Sequence, residues 1–182
     1  VGFIGGMDIP LIRRFEKAYT QGVRDAKNKA ETLTNYVGVT SEAWNNPTKA
    51  KELASNQYGR GADIIFVAAG ASNNGCFDSA VANNKLAIGV DSNQNWIKPG
   101  KILTSMIKRV DSAVYKAIED VANGTFKGGT RSFGLDNQGI DWALDDFNRK
   151  LFSPAEIEKI NSIKASLIAK KINVIDYYKL KK

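Results

Sequence analysis

The chain has 182 residues, of which 43% are hydrophobic and 25% charged, and its net charge is +7. This composition is typical of a globular domain. Histidine is absent, which excludes Ser-His-Asp and Cys-His catalysis and removes the commonest metal ligand. The single cysteine, Cys76, has no partner for an internal disulfide, and its neighbours Gly75 and Phe77 favour a small buried residue over an activated thiol.

The basic residues are scattered, with a mild cluster only at 170–171 and 179–182. Net positive charge can indicate nucleic-acid binding, but no run of alternating aromatic and basic residues that would hold a single strand is present. We interpret the charge as a solvated surface, with nucleic-acid binding as the weaker alternative. No apolar run approaches the ~20 residues that a membrane-spanning helix needs, and no export leader is visible.

Apolar runs alternate with helical patterns through the first two thirds of the chain. Five runs predict strands at 1–6, 33–39, 62–70, 86–91 and 102–107. Helices are predicted between and after them, at about 9–23, 46–58, 74–83 and 111–123. This order predicts an α/β fold, a mostly parallel sheet with helices on both faces. Because the first strand starts abruptly at Val1, we expect further sequence to precede it.

The pattern changes after Gly129. Two short strands are predicted at 132–135 and 140–144, joined by a turn at 136–139. Ser153 and Glu156 then form a capping-box pattern at the start of a helix. The apolar residues of that helix are predicted to share one face: Ile157, Ile160, Ile163, Leu167 and Ile168.

Parallel sheets bind ligands at the carboxyl ends of their strands, so the loops that follow the predicted strands are the candidate site. The glycines at 2, 5 and 6 do not match the dinucleotide fingerprint, because Met7 and Pro10 stand where it needs glycines. The small-residue loop 69–75 lacks the Lys-Ser or Lys-Thr pair of a phosphate loop.

Four loop residues are candidates, each with a structural alternative. Gly70 either lines a ligand or makes a tight turn. Asp91 could accept hydrogen bonds from two adjacent hydroxyls, as a ribose presents them, or could cap its own loop. Lys108 faces either the ligand or solvent. Trp44 is either a stacking platform for a flat ligand or a lid over the core.

Several segments resemble the basic membrane protein family, the purine-nucleoside-receptor-like substrate-binding lipoproteins of bacterial ABC transporters. The residues VGFIGGMDIPLI at 1–12 look like the opening of that family's second lobe. The similarity continues through NPTKAKE at 46–52, AAG at 68–70, IGVDS at 88–92 and LTSMIKRVD at 103–111. The resemblance covers nearly the whole chain, with its motifs in the family's order.

The resemblance implies a periplasmic-binding-protein fold of type I, in which two α/β lobes close on a ligand. Residues 1–110 would be the second, C-terminal lobe. Residues 111–182 would contain a hinge-crossing helix, short strands and a C-terminal helix that packs on a first lobe preceding Val1.

By the same resemblance, Trp44 would stack on the ligand, Asp91 and Lys108 would hold sugar hydroxyls, Gly70 would line the base or ribose, and Met7 would lie at the cleft edge. No catalytic residue, metal ligand or cofactor is implied.

The sequence departs from the family at two places. The family's loop after the third strand often reads Ala-Ala-Gly-Gly-Thr-Gly-Asn-Gly, whereas this chain has Ala71, Ser72 and Asn73 in the middle of that loop. Asn93 stands where an acidic residue is frequent. Both departures leave the identity of the ligand open.

The implied function is capture of a purine nucleoside, or of another small molecule such as riboflavin, for the permease of an ABC transporter. The implied location is the extracytoplasmic side of the cell membrane, through a lipid anchor. Two alternatives stay open. One is an enzyme acting on a nucleoside through Asp8, Asp91 and Lys108, and the other is the sensing domain of a transcriptional regulator, which would need a DNA-binding helix pair before Val1.

Overall fold

One sheet forms the centre of the molecule. The computed structural model describes residues 1–26 and 29–180, so Lys181 and Lys182 of the basic cluster lie outside the described residues. The strands are β1 (Gly2–Met7), β2 (Leu33–Gly38), β3 (Ile64–Ala68), β4 (Leu86–Asp91), β5 (Ile102–Lys108) and β6 (Ile140–Trp142). Their order in the sheet is β2-β1-β3-β4-β5-β6, in which β1 to β5 are parallel and β6 is antiparallel to β5. The predicted α/β fold with a mostly parallel sheet is confirmed.

Helices cover both faces of the sheet. The helices are α1 (Pro10–Ala26), α2 (Pro47–Gly59), α3 (Asn73–Ala82), α4 (Val110–Ala122) and α5 (Pro154–Ile168), of which α1 to α3 contribute to the buried core. Successive strand residues point to opposite faces. Ile4, Ile65 and Val67 accordingly pack with α2 and α3, whereas Phe3 and Phe66 pack with α1. Because both faces of the sheet are covered, β1 and β3 are almost entirely apolar, as is typical of buried parallel strands.

Local chemistry explains where two of the helices begin. The Asn46 side chain accepts a hydrogen bond from the Lys49 amide ahead of Pro47, the first residue of α2. The Ser153 hydroxyl and the Glu156 carboxylate cap each other's backbone amides at the start of α5, as the sequence pattern predicted.

The strand predicted at 132–135 is wrong. The side chain of Asn137 accepts from the Gly134 amide and donates to the Ser132 carbonyl, and the Gly134 carbonyl accepts from the Gly139 amide. These local bonds occupy the backbone groups that a strand would present to a neighbour. The strand predicted at 140–144 forms, but only over Ile140–Trp142.

The last two helices are partly unpartnered within the described residues. No residue of α4 is buried. Its apolar side chains are more than half exposed: Val110, Val114, Tyr115, Ile118 and Val121. In α5, Ile157, Ile160 and Leu167 are half-buried while Ile163 and Ile168 are exposed. The ammonium of Lys164 binds Asp141 of β6 at 2.8 Å, and the chain then returns to α1, where Gln21 bonds the backbone of Asn173 and Ile175.

Candidate ligand-binding site

All five predicted site residues lie at one edge of the sheet. Met7, Asp91 and Lys108 are the last residues of β1, β4 and β5. Gly70 follows β3 after one intervening residue, and Trp44 lies in a short 3₁₀ helix, Ser41–Asn45, after β2. Because these strands are parallel, their carboxyl ends meet at the same edge, which is where such sheets bind ligands.

The indole of Trp44 lies directly on the backbone of β1. A Cβ atom added at Gly6 would overlap the six-membered ring of Trp44, so only glycine allows this approach. Gly70 has a φ of +60°, and a Cβ there would lie 3.0 Å from the carbonyl oxygen of Trp44. The indole is half-buried and packs against the cluster that contains Phe3. Trp44, Gly6 and Gly70 are thus in one packed unit.

Asp91 holds an unusual backbone conformation. Its φ is +71°, and the Ser92 amide donates to the Val90 carbonyl at 2.9 Å, which closes a three-residue turn around it. This γ-turn is the rare, strained form. Residues held in such regions cost about 1–3 kcal/mol and cluster at ligand sites. The strain directs attention to Asp91 as a functional residue.

The carboxylate of Asp91 forms an ion pair with Lys108. The Lys108 Nζ atom lies 2.6 Å from Asp91 Oδ1, and both side chains are exposed. The same ammonium lies 5.0 Å from the ring centre of Phe15 on α1. A carboxylate has about four lone-pair sites, so one ion pair leaves acceptor capacity for ligand hydroxyls.

Met7 lies beside a second ion pair. It is half-buried against the cluster that includes α2 and α3. The next residue, Asp8, receives two hydrogen bonds of 2.6 Å from the Arg13 guanidinium, which also binds Glu16. These bonds, those to Asp8 most of all, raise the pKa of Arg13. The Asp8 carboxylate is therefore engaged by a permanent cation, which argues against an acid-base role.

Comparison with known proteins identifies the family of this fold and site. The sequence model of a family described as "Bmp: ABC transporter substrate-binding protein PnrA-like" matches residues 1–179. The chain belongs to this family.

Individual relatives agree with the PnrA-like assignment. The ABC transporter nucleoside-binding protein BmpA of Lactococcus lactis subsp. cremoris is 35% identical over 164 residues, which cover 80% of this chain and 46% of that protein. An uncharacterized lipoprotein of Pyrococcus furiosus is 35% identical over 156 residues, covering 80% and 38%. The solute-binding protein structure from Aeropyrum pernix K1 has a TM-score of 0.78 at 26% identity, covering 97% and 57%. The chain spans about half the length of the relatives it matches.

Of the residues that depart from the PnrA-like pattern, Ser72 and Asn73 are buried, whereas Ala71 and Asn93 are exposed. Ser72 is fully buried and Asn73 is 1% exposed. Both side chains bond to neighbouring loops instead of facing the edge where a ligand would lie. Sequence analysis missed this role, and it also missed Gln94, which Asn73 contacts. The available signal was the presence of polar residues among small ones directly after the most apolar strand.

Two further predictions concern the chain as a whole. Cys76 is fully buried in α3, so the prediction of a buried cysteine is confirmed, and burial raises the pKa of its thiol to about 12. Among the described residues, no helix has both the length and the apolar character needed to cross a bilayer.

Proposed function

We propose that this chain is one lobe of the substrate-binding component of an ABC transporter and that it captures a purine nucleoside. The observation that carries the proposal is one edge that combines a half-exposed indole with the exposed Asp91–Lys108 pair. A flat, apolar surface suits a purine base, and adjacent charged donors and acceptors suit a ribose. The relative in Lactococcus lactis named as nucleoside-binding supports this choice.

Each group has a separate part in binding. The base stacks on Trp44, an interaction worth ~1–3 kcal/mol for aromatic side chains in nucleic-acid sites. The ribose hydroxyls donate to Asp91 and accept from Lys108. Gly70, without a side chain, lets the ligand approach the turn after β3, and Met7 closes the edge of the cleft. No bond of the ligand is broken, so the nucleoside is released unchanged to the permease.

A second lobe completes the cleft in this proposal. Residues 111–182 cross the hinge, and the exposed apolar side chains of α4 contact the first lobe, as do Ile163 and Ile168 of α5. A ligand that touches both lobes only in the closed state shifts the open–closed equilibrium toward closure. The whole protein is held at the outer side of the cell membrane by a lipid, as the name of the Pyrococcus furiosus relative suggests.

The proposal is tested by calorimetry of guanosine, inosine and adenosine with the two-lobe protein and its Asp91→Asn variant. The substitution keeps the size of the side chain and removes its charge. We expect affinity to fall ~10–100-fold, since hydrogen bonds to a charged group contribute about 1.5–3 kcal/mol.

Asp63→Asn is the matched control. Asp63 forms an ion pair of the same length, 2.6 Å, with Lys85 at the opposite edge of the sheet. This variant should bind each nucleoside as the unmodified protein does. An Asp91→Asn variant with unchanged affinity would refute the assigned site.

A further inference from the structure

A chain of side-chain hydrogen bonds lies beneath the candidate site and joins two of its loops. The Gln94 Oε1 atom accepts from the Val90 amide at 2.9 Å and from Asn73 Nδ2 at 3.2 Å. The Asn73 Oδ1 atom accepts from the Ala69 amide at 2.9 Å. One pair of amide side chains therefore connects the residue before Asp91 with the residue before Gly70.

The Gln94 end of this chain is anchored to β5. The backbone amide of Gln94 donates to Ser105 Oγ at 3.0 Å, and that hydroxyl donates to Asn95 Oδ1 at 2.9 Å. Ser105 and Asn95 are both fully buried. A Cβ added at Gly89 would lie 2.7 Å from Gln94 Oε1 and 2.8 Å from Ser105 Oγ. The glycine of β4 thus leaves room for the Gln94 side chain to lie against the strand.

Two hydrogen-bond donors, the Val90 amide and the Asn73 side chain, determine the orientation of the side-chain amide of Gln94. Its oxygen faces both the Val90 N–H and the Asn73 NH₂ group. Rotation of the amide by 180° would set an NH₂ group against two donors, which cannot form hydrogen bonds. Only a side chain with an acceptor at this place serves both.

A second buried side chain ties Trp44 to the same turn. The Ser72 hydroxyl donates to the Ala43 carbonyl at 2.7 Å and accepts from the Asn46 amide at 2.7 Å. These two bonds flank Trp44. The turn at 69–73 is consequently bonded on one side to the loop of Trp44, through Ser72, and on the other to the loop of Asp91, through Asn73.

We propose that Gln94 is a positioning residue that holds Asp91 in its γ-turn and, through Asn73, joins the loops of Trp44, Gly70 and Asp91 into one rigid wall. Val90 is only 3% exposed, so its N–H has no access to bulk water if the Gln94 acceptor is removed. A strained residue keeps its conformation only where its surroundings over-determine it. Without the acceptor, Asp91 relaxes and its carboxylate leaves the position that faces the ligand.

The inference rests on the proposed function for its effect on affinity, but its structural part can be measured without a ligand. Gln94→Met removes the acceptor at nearly constant volume, and Gln94→Glu keeps two acceptor oxygens. In residues 1–182, NMR-detected exchange of the Val90 amide should accelerate ~10-fold or more in Gln94→Met, as expected for one lost hydrogen bond, and change less than about twofold in Gln94→Glu.

Nucleoside affinity is the second readout, measured in the two-lobe protein. Gln94→Met should bind ~10-fold more weakly, and Gln94→Glu should restore binding. Gln21→Met is the control, because it also removes two hydrogen bonds of a glutamine side chain, one donated to Asn173 and one accepted from Ile175. Gln21→Met should lower stability and leave nucleoside affinity unchanged. If Gln94 had only a structural role, Gln94→Met would give this same result.

The two readouts separate the inference from the proposed function. If the unmodified protein binds no nucleoside, the proposed function fails, and the exchange of the Val90 amide still decides whether Gln94 holds the turn. If the Val90 amide of Gln94→Met exchanges at the wild-type rate, the inference is overturned. Wild-type affinity in Gln94→Met, when the unmodified protein binds, also overturns it.

Discussion

The packing of Trp44 fits the lid interpretation of its sequence and leaves the stacking role as a proposal. The sequence left open whether its indole is a lid over the core or a platform for a ligand. The ring packs over Gly6 and the cluster around Phe3, and it remains half-exposed. The paired glycines that end the first apolar run predicted tight geometry, but the reason for Gly6, the space for an indole 38 residues later, depends on tertiary contacts.

Substitution of Gly6 by alanine is expected to displace the indole without unfolding the chain. The added Cβ overlaps the outer atoms of the Trp44 ring, which can rotate away more easily than backbone can move. With Trp96 and Trp142 replaced by phenylalanine, the emission of Trp44 should shift to the red. Nucleoside affinity should fall ~5–10-fold, within the energy of one stacking contact.

Gly22→Ala is the matched control for this experiment. Nothing lies within 4 Å of a Cβ at Gly22 in α1. Alanine there should leave the emission of Trp44 unchanged and should stabilise the helix by about 0.5–1 kcal/mol. An unaltered Trp44 spectrum in Gly6→Ala would contradict the packing described for the indole.

At the scale of elements, the parallel core was predictable and its margins were not. The five strands β1 to β5 and helices α1 to α4 follow from apolar runs bounded by glycine, proline and asparagine, which encode their boundaries locally. The strand predicted at 132–135 does not form because the side chain of Asn137 bonds the backbone of that segment. The network around Gln94 joins positions 69 to 105, so no local pattern reports it.

Asp145 links the segment after β6 to the loop after β4, and its ionisation should make that link depend on pH. Burial opposes the charge of this carboxylate, but hydrogen bonds from Asn93, Asn95 and the Phe147 amide outweigh burial and lower its pKa. A pKa lowered by folding stabilises the native state above the unfolded pKa, and that stabilisation is lost as the pH falls through the folded pKa.

Urea denaturation between about pH 5 and pH 2 measures this contribution. The free energy of unfolding of the wild type should decrease by about 1 kcal/mol more than that of Asp145→Asn over this range. Asp146→Asn, at the exposed neighbouring residue, should keep the wild-type dependence. Parallel curves for wild type and Asp145→Asn would show that the Asp145 charge does not stabilise the fold.

At the scale of the whole molecule, a sheet covered on both faces carries one apolar helix surface that nothing in the described residues covers. Its core buries aromatic and aliphatic side chains on both faces of the sheet, whereas the apolar side chains of α4 stay exposed. Exposed apolar patches of this kind mark interaction sites. Together with the half-length match to its relatives, this surface supports the proposal that α4 contacts a first lobe.

The central claim is that this lobe supplies one wall of a nucleoside cleft and a first lobe supplies the other. Calorimetric titration of guanosine into the two-lobe protein and into residues 1–182 tests it directly. The two-lobe protein should bind, and residues 1–182 alone should bind at least ~100-fold more weakly, because they lack the contacts made on closure. Equal affinity in both, or no binding to the two-lobe protein, would contradict the account.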